Sequence, residues 1–164
     1  MIKPRKEKVM YVSTIEDWVS SCVSSPRWLA ESMQRIGRFG GQHPTANVLN
    51  HSLEVAWMLR HDSAEVQLWA LYHDAHEVLT GDVSRICKTQ QIEDRQYGMD
   101  VKLIHRFGLW DCIDEIRSKV GKFDKICGDA ECRHWRGTFY QHQPLECVAV
   151  FETMALALMR SVGV

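Results

Sequence analysis

The sequence predicts an all-α protein, a bundle of helices that occupies the whole chain, 1–164, as a single domain. Strand signals are nearly absent, because no run of alternating β-branched residues lies between Asn-Gly or Asp-Gly turns. Apolar residues recur instead at helical spacing along most of the chain. With 164 residues, of which 45% are hydrophobic, the chain is long enough for one real core and too short for two comfortable ones.

The predicted helices follow one another with short connections, as in a helical bundle. Ser25-Pro26 is typical of an N-cap with proline at the first helical position, and it opens a helix to about Ile36. The glycine-rich stretch 37–41 predicts a loop. A capping box with Asp62 as the cap residue opens the helix that carries His73. In chain order, the predicted helices cover 15–23, 26–36, 47–60, 63–79, 90–107, 111–119, 122–136 and 144–160.

Charge and hydropathy exclude several classes of protein. The formal net charge of −1 provides no overall attraction to nucleic acid or to an anionic membrane. The longest apolar stretch, 145–159, contains Glu146 and Glu152 and is too short to cross a bilayer. The six cysteines form no CxxC pair, and no apolar run of signal-peptide length follows the basic N-terminus. We therefore expect a cytoplasmic protein with reduced thiols that binds neither nucleic acid nor membranes.

Two histidines flank a predicted turn at equal distances. His51 and His73 lie eleven residues on either side of Asp62, so an antiparallel helical hairpin would place them at the same height. Asp74 follows His73 in an otherwise apolar helix, and Glu77 lies one helical turn further along the same face. Charged residues are rarely buried unless they are paired or bind a metal. The spacing favours a metal site, with ordinary hydrogen-bonded core histidines as the alternative.

The donors of this candidate site limit its chemistry. The string HDAHE (73–77) is neither HExxH nor HxxEH, which disfavours a zinc peptidase. Imidazole and carboxylate donors suit one divalent ion, Mn²⁺, Co²⁺, Fe²⁺, Ni²⁺ or Zn²⁺, and affinity order alone does not choose among them. His76 points away from the line through His73 and Glu77, and we interpret it as a supporting or surface residue.

The string HDAHEVLTGD, with RF and NHS upstream, resembles the HD-domain metal-dependent phosphohydrolases, whose pattern is H…HD…D on a helical bundle. The likeness is dense over 38–88, in RFGGQHPTANVLNHSLEVA and WALYHDAHEVLTGDVSRICK. It is fainter in HRFGLW (105–110) and GKFDKICGDAE (121–131). Within this family the chain is similar to the branch that holds bacterial 5′-deoxynucleotidases and small phage hydrolases, including phage dATP triphosphohydrolases.

The resemblance implies a set of four metal ligands. They are His51, the His73-Asp74 pair and the distant Asp124. Asp124 is preferred to the alternative, Asp129, because the family pattern resembles K-x-D followed seven residues later by Glu. Asp124 and Glu131 fit that spacing, which places them two helical turns apart on one face.

The resemblance also implies residues that act on the substrate. Glu77 resembles the catalytic Glu, Arg38 the phosphate-binding Arg and Asp82 the Asp that contacts the sugar, so all three are expected to serve catalysis. Phe39 is expected to lie against the sugar or base, and Lys88 to contact a phosphate. The alternatives are a solvated loop charge for Arg38, a helix cap for Asp82, a loop anchor for Phe39 and a surface lysine for Lys88.

The activity implied by the resemblance is hydrolysis of a nucleotide phosphate with one divalent metal. The first expectation is a phage-type dNTP triphosphohydrolase, with dATP as a candidate, that releases deoxynucleoside and triphosphate. A triphosphate substrate would bring an additional Mg²⁺. The alternatives are a 5′-deoxynucleotidase acting on dNMPs and, from another class, a non-catalytic nucleotide-binding regulator. The expected partners are a small-molecule nucleotide and, because the terminal helix is apolar, further copies of the chain in a homo-oligomer.

Overall fold

A computed structural model describes residues 12–42, 45–134, 139 and 142–164, and in these ranges the chain is all-α, as the sequence predicts. No β-strand occurs among the described residues; Gly37 and Asn47 form one isolated bridge. The helices are α1 (Ile15–Ser24), α2 (Pro26–Met33), α3 (Val48–Met58), α4 (Ala64–Tyr72), α5 (Glu77–Thr80), α6 (Gln90–Arg106), α7 (Ile113–His134) and α8 (Pro144–Val162).

Helix α4 lies at the centre of the bundle. Its residues from Leu68 to Tyr72 are all buried, so the helix is apolar around its whole circumference rather than along one stripe. A helix of this kind is stable in water only when other helices surround it. Helices α3, α7 and α8 pack against α4, and α2 packs against α8. The sequence signal for the bundle core is therefore the continuous apolar run of α4.

Aromatic side chains from later in the chain pack against the end of α4. The ring of Tyr72, the last residue of α4, lies 4.8 Å from that of Phe107 in an edge-on arrangement and 5.5 Å from that of Phe151 on α8. The Tyr72 hydroxyl donates to the carbonyl of Cys22 at 3.2 Å, so its polar end is satisfied inside the core. These contacts hold α4 where its next residues, 73 and 74, project from the core.

Several predicted helix bounds are wrong. The helices predicted at 111–119 and 122–136 form one continuous helix, α7, in which Gly121 is helical. The conformational cost of this glycine is offset by the burial of Ile116, Val120 and Cys127 on the same helix. Residues 135 and 136 lie outside the described residues. The predicted helix 26–36 ends at Met33, after which the amides of 35 and 36 bond three residues back. Ser63, not Asp62, caps α4, since its hydroxyl accepts from the Val66 amide.

Two other expectations concern the whole chain. All six cysteines are unpaired. Among the described residues, no helix has both the length and the apolar character that a membrane crossing requires.

Candidate metal centre

Three helices bring four donor side chains to one point. His51 projects from α3, His73 and Asp74 follow the end of α4, and Asp124 projects from α7. The Nε2 atom of His51 lies 2.9 Å from Asp124 Oδ1 and 3.6 Å from Asp74 Oδ2. The Nε2 atom of His73 lies 3.3 Å from Asp74 Oδ2 and 3.9 Å from Asp124 Oδ1. The two imidazole rings, which the sequence places at equal distances from the turn, have their centroids 5.4 Å apart.

These distances fit a single ion. Bonds of about 2.1 Å from a metal to imidazole nitrogen and carboxylate oxygen place neighbouring ligand atoms about 3.0 Å apart in an octahedron, and opposite ones about 4.2 Å apart. The four distances from a histidine Nε2 to a carboxylate oxygen run from 2.9 to 3.9 Å. Two imidazoles and two carboxylates are also a donor set that binds divalent first-row metals. The residues present therefore fit a metal ion.

Both histidines are held so that Nε2 faces this point. His73 Nδ1 donates to the carbonyl of Ala70 at 2.8 Å, which requires the ring proton on Nδ1. His73 Nε2 is buried and has no hydrogen-bond partner, and Asp74 Oδ2 lies 3.3 Å from it. A buried nitrogen without a partner is costly, and a metal ion would satisfy it. His51 is likewise anchored, through its Nδ1 and Glu131 Oε1 at 2.8 Å.

The carboxylates give the site a strong affinity for positive charge. Burial by itself lowers the pKa of His73, but the charge of Asp74 outweighs it and raises the pKa to about 10. Burial also opposes the pKa rise of His51, which the hydrogen bonds to Asp124 and Glu131 produce. Burial favours a neutral Asp74, yet the adjacent His73 charge holds its pKa well below the usual range. A divalent cation would compete with protons for these groups, so its binding would be weaker at low pH.

Asp124 differs from the other three donors in its exposure. Its side chain is 43% exposed, whereas that of His51 is fully buried and that of Asp74 is 14% exposed. Its Oδ1 nevertheless points at both histidines. Asp129, the alternative ligand, is exposed further along α7. The site is consequently open to solvent on the side of Asp124.

The helix predicted over 63–79 breaks at the site, and this prediction was wrong. Helix α4 ends at Tyr72, and residues 73–76 form tight turns in which the amides of Ala75, Glu77 and Val78 bond three residues back. The break turns His73 and Asp74 out of the apolar core while the chain stays close to it. Glu77 begins the short α5 instead of lying one turn along a continuous helix.

Glu77 still lies beside the centre. One of its carboxylate oxygens is within 4.8 Å of a carboxylate oxygen of Asp74, and the residue is 6% exposed. Its Oε2 is buried without a hydrogen-bond partner. Burial, and then the negative charges of Asp74 and Asp82, raise the pKa of Glu77 to about 9. A carboxyl group in these surroundings holds a proton near neutral pH.

Arg38 reaches the centre from the loop between α2 and α3. Its Nε donates to Glu131 Oε2 at 3.1 Å, and its NH1 lies 3.5 Å from Asp74 Oδ2. The loop that carries it is closed by backbone bonds from Arg38 to Ala46 and from Val48 to Ile36. Arg38 is 9% exposed, so the expectation of a solvated loop charge does not describe its position.

The other residues expected to contact substrate occupy two neighbouring loops. Asp82 Oδ2 accepts from the backbone amide of Phe39 at 3.0 Å and so ties these loops together. It caps no helix in the described part of the chain. Phe39 has a positive φ of 55°, rare for a residue with a side chain, and its ring lies 5.3 Å from the Arg38 guanidinium carbon. Lys88 is half-buried and makes no hydrogen bond or ion pair with the described residues.

Two features were missed or left open by the sequence. The spacing of Glu131 from Asp124 does not reveal its contacts, and the structure places its carboxylate between His51 and Arg38. For His76 the sequence allows a supporting or a surface role; the residue is buried, and its Nδ1 forms a hydrogen bond of 2.8 Å with Asp100 Oδ1. The seven-residue spacing of Asp124 and Glu131 was the signal for the first feature. No local pattern links His76 to Asp100.

The chain matches no protein-family model, no curated protein and no solved structure.

Proposed function

We propose that the chain is a metal-dependent phosphohydrolase of the HD-domain type that acts on deoxynucleotides. The observation that carries the proposal is the convergence of two buried imidazoles and two carboxylates, with the Nε2 of His73 buried and lacking a hydrogen-bond partner. The H…HD…D order of these ligands along the chain supports the HD type. The preferred reaction is hydrolysis of a dNTP, dATP being one candidate, to deoxynucleoside and triphosphate.

His51, His73, Asp74 and Asp124 would hold the ion, which is Mn²⁺, Co²⁺, Fe²⁺, Ni²⁺ or Zn²⁺. When bound, it would polarise a phosphoryl group and lower the pKa of water. A triphosphate substrate would carry its own Mg²⁺ in addition. The remaining chemistry belongs to side chains of the chain itself.

Glu77 is the proton-transfer group of this proposal. In the hydrolysis, a water oxygen bonds to the α-phosphorus, the bond from that phosphorus to the 5′ oxygen breaks, and the 5′ oxygen takes up a proton. The raised pKa of Glu77, about 9, suits a carboxyl that donates this proton and recovers one from the attacking water. Help of this kind contributes roughly 10²–10⁴-fold to rate.

Arg38 contacts the carboxylates of the centre and would also act on the substrate. Nε and NH1 are engaged by Glu131 and Asp74, and the other guanidinium nitrogen lies near Gly128 of α7, 3.8 Å from where a Cβ would stand. Its charge would neutralise phosphate oxygens that approach the centre. Asp82 and Phe39, joined by a hydrogen bond, would flank the sugar, and Lys88 would neutralise an outer phosphate.

The second candidate of the enzyme class is a 5′-deoxynucleotidase acting on dNMPs, which the same centre would serve. The rival of another class is a nucleotide-binding regulator without turnover. The filled position of Glu77 argues against the regulator, because a centre that only binds has no use for a buried carboxyl without a hydrogen-bond partner for Oε2.

A substrate screen tests these alternatives. The full chain is loaded with Mn²⁺ or Co²⁺ and incubated with each dNTP and dNMP, and the released phosphate species are separated. Inorganic triphosphate supports the dNTP triphosphohydrolase, and orthophosphate from dNMPs supports the deoxynucleotidase. Tight nucleotide binding with no product from any substrate would reject both enzymes in favour of the regulator.

A further inference from the structure

A carboxylate outside the ligand set connects two of the proposed ligands. Glu131, two turns beyond Asp124 on α7, is 3% exposed. Its Oε1 lies 2.8 Å from His51 Nδ1, and its Oε2 lies 3.1 Å from Arg38 Nε. Both oxygens of this buried side chain are therefore engaged by donors from two other parts of the chain.

The arrangement fixes the orientation of the His51 ring. A carboxylate can only accept, so Nδ1 of His51 donates to Glu131. This contact turns Nε2 towards Asp124 Oδ1, 2.9 Å away, where an ion held by both atoms would take the Nε2 lone pair in place of a proton. Without such a partner, an imidazole ring can rotate and can exchange the proton between its two nitrogens. A carboxylate on the far nitrogen also makes the ligating nitrogen a stronger base.

Arg38 stabilises the buried charge of Glu131 and connects this residue to Asp74. An isolated buried carboxylate is costly, whereas a charge-assisted pair with a guanidinium is stable. The same guanidinium approaches Asp74 Oδ2 at 3.5 Å through NH1. A continuous chain of charged contacts thus runs from His51 through Glu131 and Arg38 to Asp74, and it joins ligands that come from different helices.

Glu131 is poorly placed to be a ligand itself. Its Oε2 accepts from the Arg38 guanidinium, and that positive charge would repel a cation bound at Oε1. Cys127, the third donor on that side of the ring, lies with its Sγ 3.8 Å from Met58 Sδ. The structure assigns Glu131 as a positioning residue, which sets the ring orientation of His51 and, through Arg38, the carboxylate of Asp74. This inference rests on the metal centre of the proposed function.

The test measures Co²⁺ binding to the full chain without any substrate. We expect Glu131→Gln to weaken Co²⁺ binding about 10- to 100-fold, the usual effect of losing a partner of a metal-bound histidine. The amide keeps the size of the side chain but presents an N–H to either His51 or Arg38, both of which are donors there. The visible absorption spectrum of the bound Co²⁺ should change as well, because it reports the geometry of the ligands.

Asp129→Asn is the matched control, since Asp129 is exposed on the same helix two residues away. It removes one negative charge from α7 and should leave the Co²⁺ dissociation constant within twofold of the wild type. A Glu131→Gln chain that melts earlier but binds Co²⁺ as tightly as the wild type, with the same spectrum, would overturn the inference and leave a purely structural role.

Glu131→Asp provides the second test, and the only one needed if the Gln variant fails to fold. It keeps the negative charge but shortens the side chain by one methylene, so it cannot reach both His51 and Arg38. We expect weaker Co²⁺ binding here too. Wild-type affinity would overturn the inference, because charge alone would then suffice. A wild-type chain that binds Co²⁺ but hydrolyses no nucleotide would reject the phosphohydrolase and leave this result valid.

Discussion

At the scale of single residues, the centre is defined by side chains in which one buried polar atom has no hydrogen-bond partner. His73 has one ring nitrogen bonded to a backbone carbonyl and the other buried with no partner. Glu77 has a buried Oε2 in the same condition. Proteins rarely leave such atoms unsatisfied, and two of them beside carboxylates mark the place where a bound ligand would supply the missing partners.

The ligand assignment predicts that His73→Ala and Asp74→Ala abolish both metal content and turnover. Each change removes one of the four donors, and we expect the three that remain not to hold the ion against water. Metal analysis of the purified protein, together with the nucleotide assay, measures the effect. His61→Ala, at an exposed position, is the control and should behave as the wild type. Turnover in either ligand variant with no detectable metal would contradict the assignment.

For Glu77 the expected result is different. Glu77→Gln should keep the metal and lose hydrolysis by roughly 10²–10⁴-fold, because the amide cannot transfer the proton. The comparison of metal content with turnover in one preparation measures this, and Glu93→Gln on the exposed face of α6 is the control. Loss of the metal in Glu77→Gln would show instead that Glu77 is a ligand.

At the scale of elements, the decisive feature is the interruption between α4 and α5. Helix α5 has only four residues, and Gly81 ends it with φ 74° and ψ 166°, a conformation that is accessible only to glycine. The next residue, Asp82, then reaches the Phe39 amide on the neighbouring loop. The backbone of Gly81 thus decides where the two loops beside the centre meet.

This feature predicts that Gly81→Ala destabilises the protein by about 1–3 kcal/mol. The cost is in the backbone alone, because an added Cβ would meet nothing within 4 Å. Gly121→Ala is the matched control, since its Cβ also meets open space but its position is helical. There alanine should stabilise by about 0.5–1 kcal/mol. Urea unfolding measures both, and equal effects at the two positions would contradict the conformational argument.

At the scale of the whole molecule, the centre is a cross-link between α3, the end of α4 and α7. An ion bound by residues from all three would therefore stabilise the fold. At a free concentration of 100 times the dissociation constant, it should add about 2.7 kcal/mol to the free energy of unfolding. In a chain of this size that corresponds to a rise in Tm of about 5–11 °C.

Calorimetry with Co²⁺ and with a chelator measures the shift. His73→Ala should show the same Tm in both conditions, because its ion is lost. A wild-type Tm that does not respond to Co²⁺ or to chelation would contradict the cross-link.

The homo-oligomer remains a prediction. On α8, Val148 and Phe151 face the core, whereas Leu145 and Leu156 are exposed.

Local sequence was sufficient for the fold class and the approximate helices, and it predicted most of the side chains that the structure brings together at the candidate centre. Helical periodicity and caps depend on residues a few positions apart, and the equal distances of His51 and His73 from the turn required only the geometry of a hairpin. Tertiary structure decided the break after Tyr72 and the contacts that join Glu131 to Arg38 and Asp82 to Phe39. Those partners lie 93 and 43 residues apart, and packing of the whole bundle, not any local pattern, sets their distance.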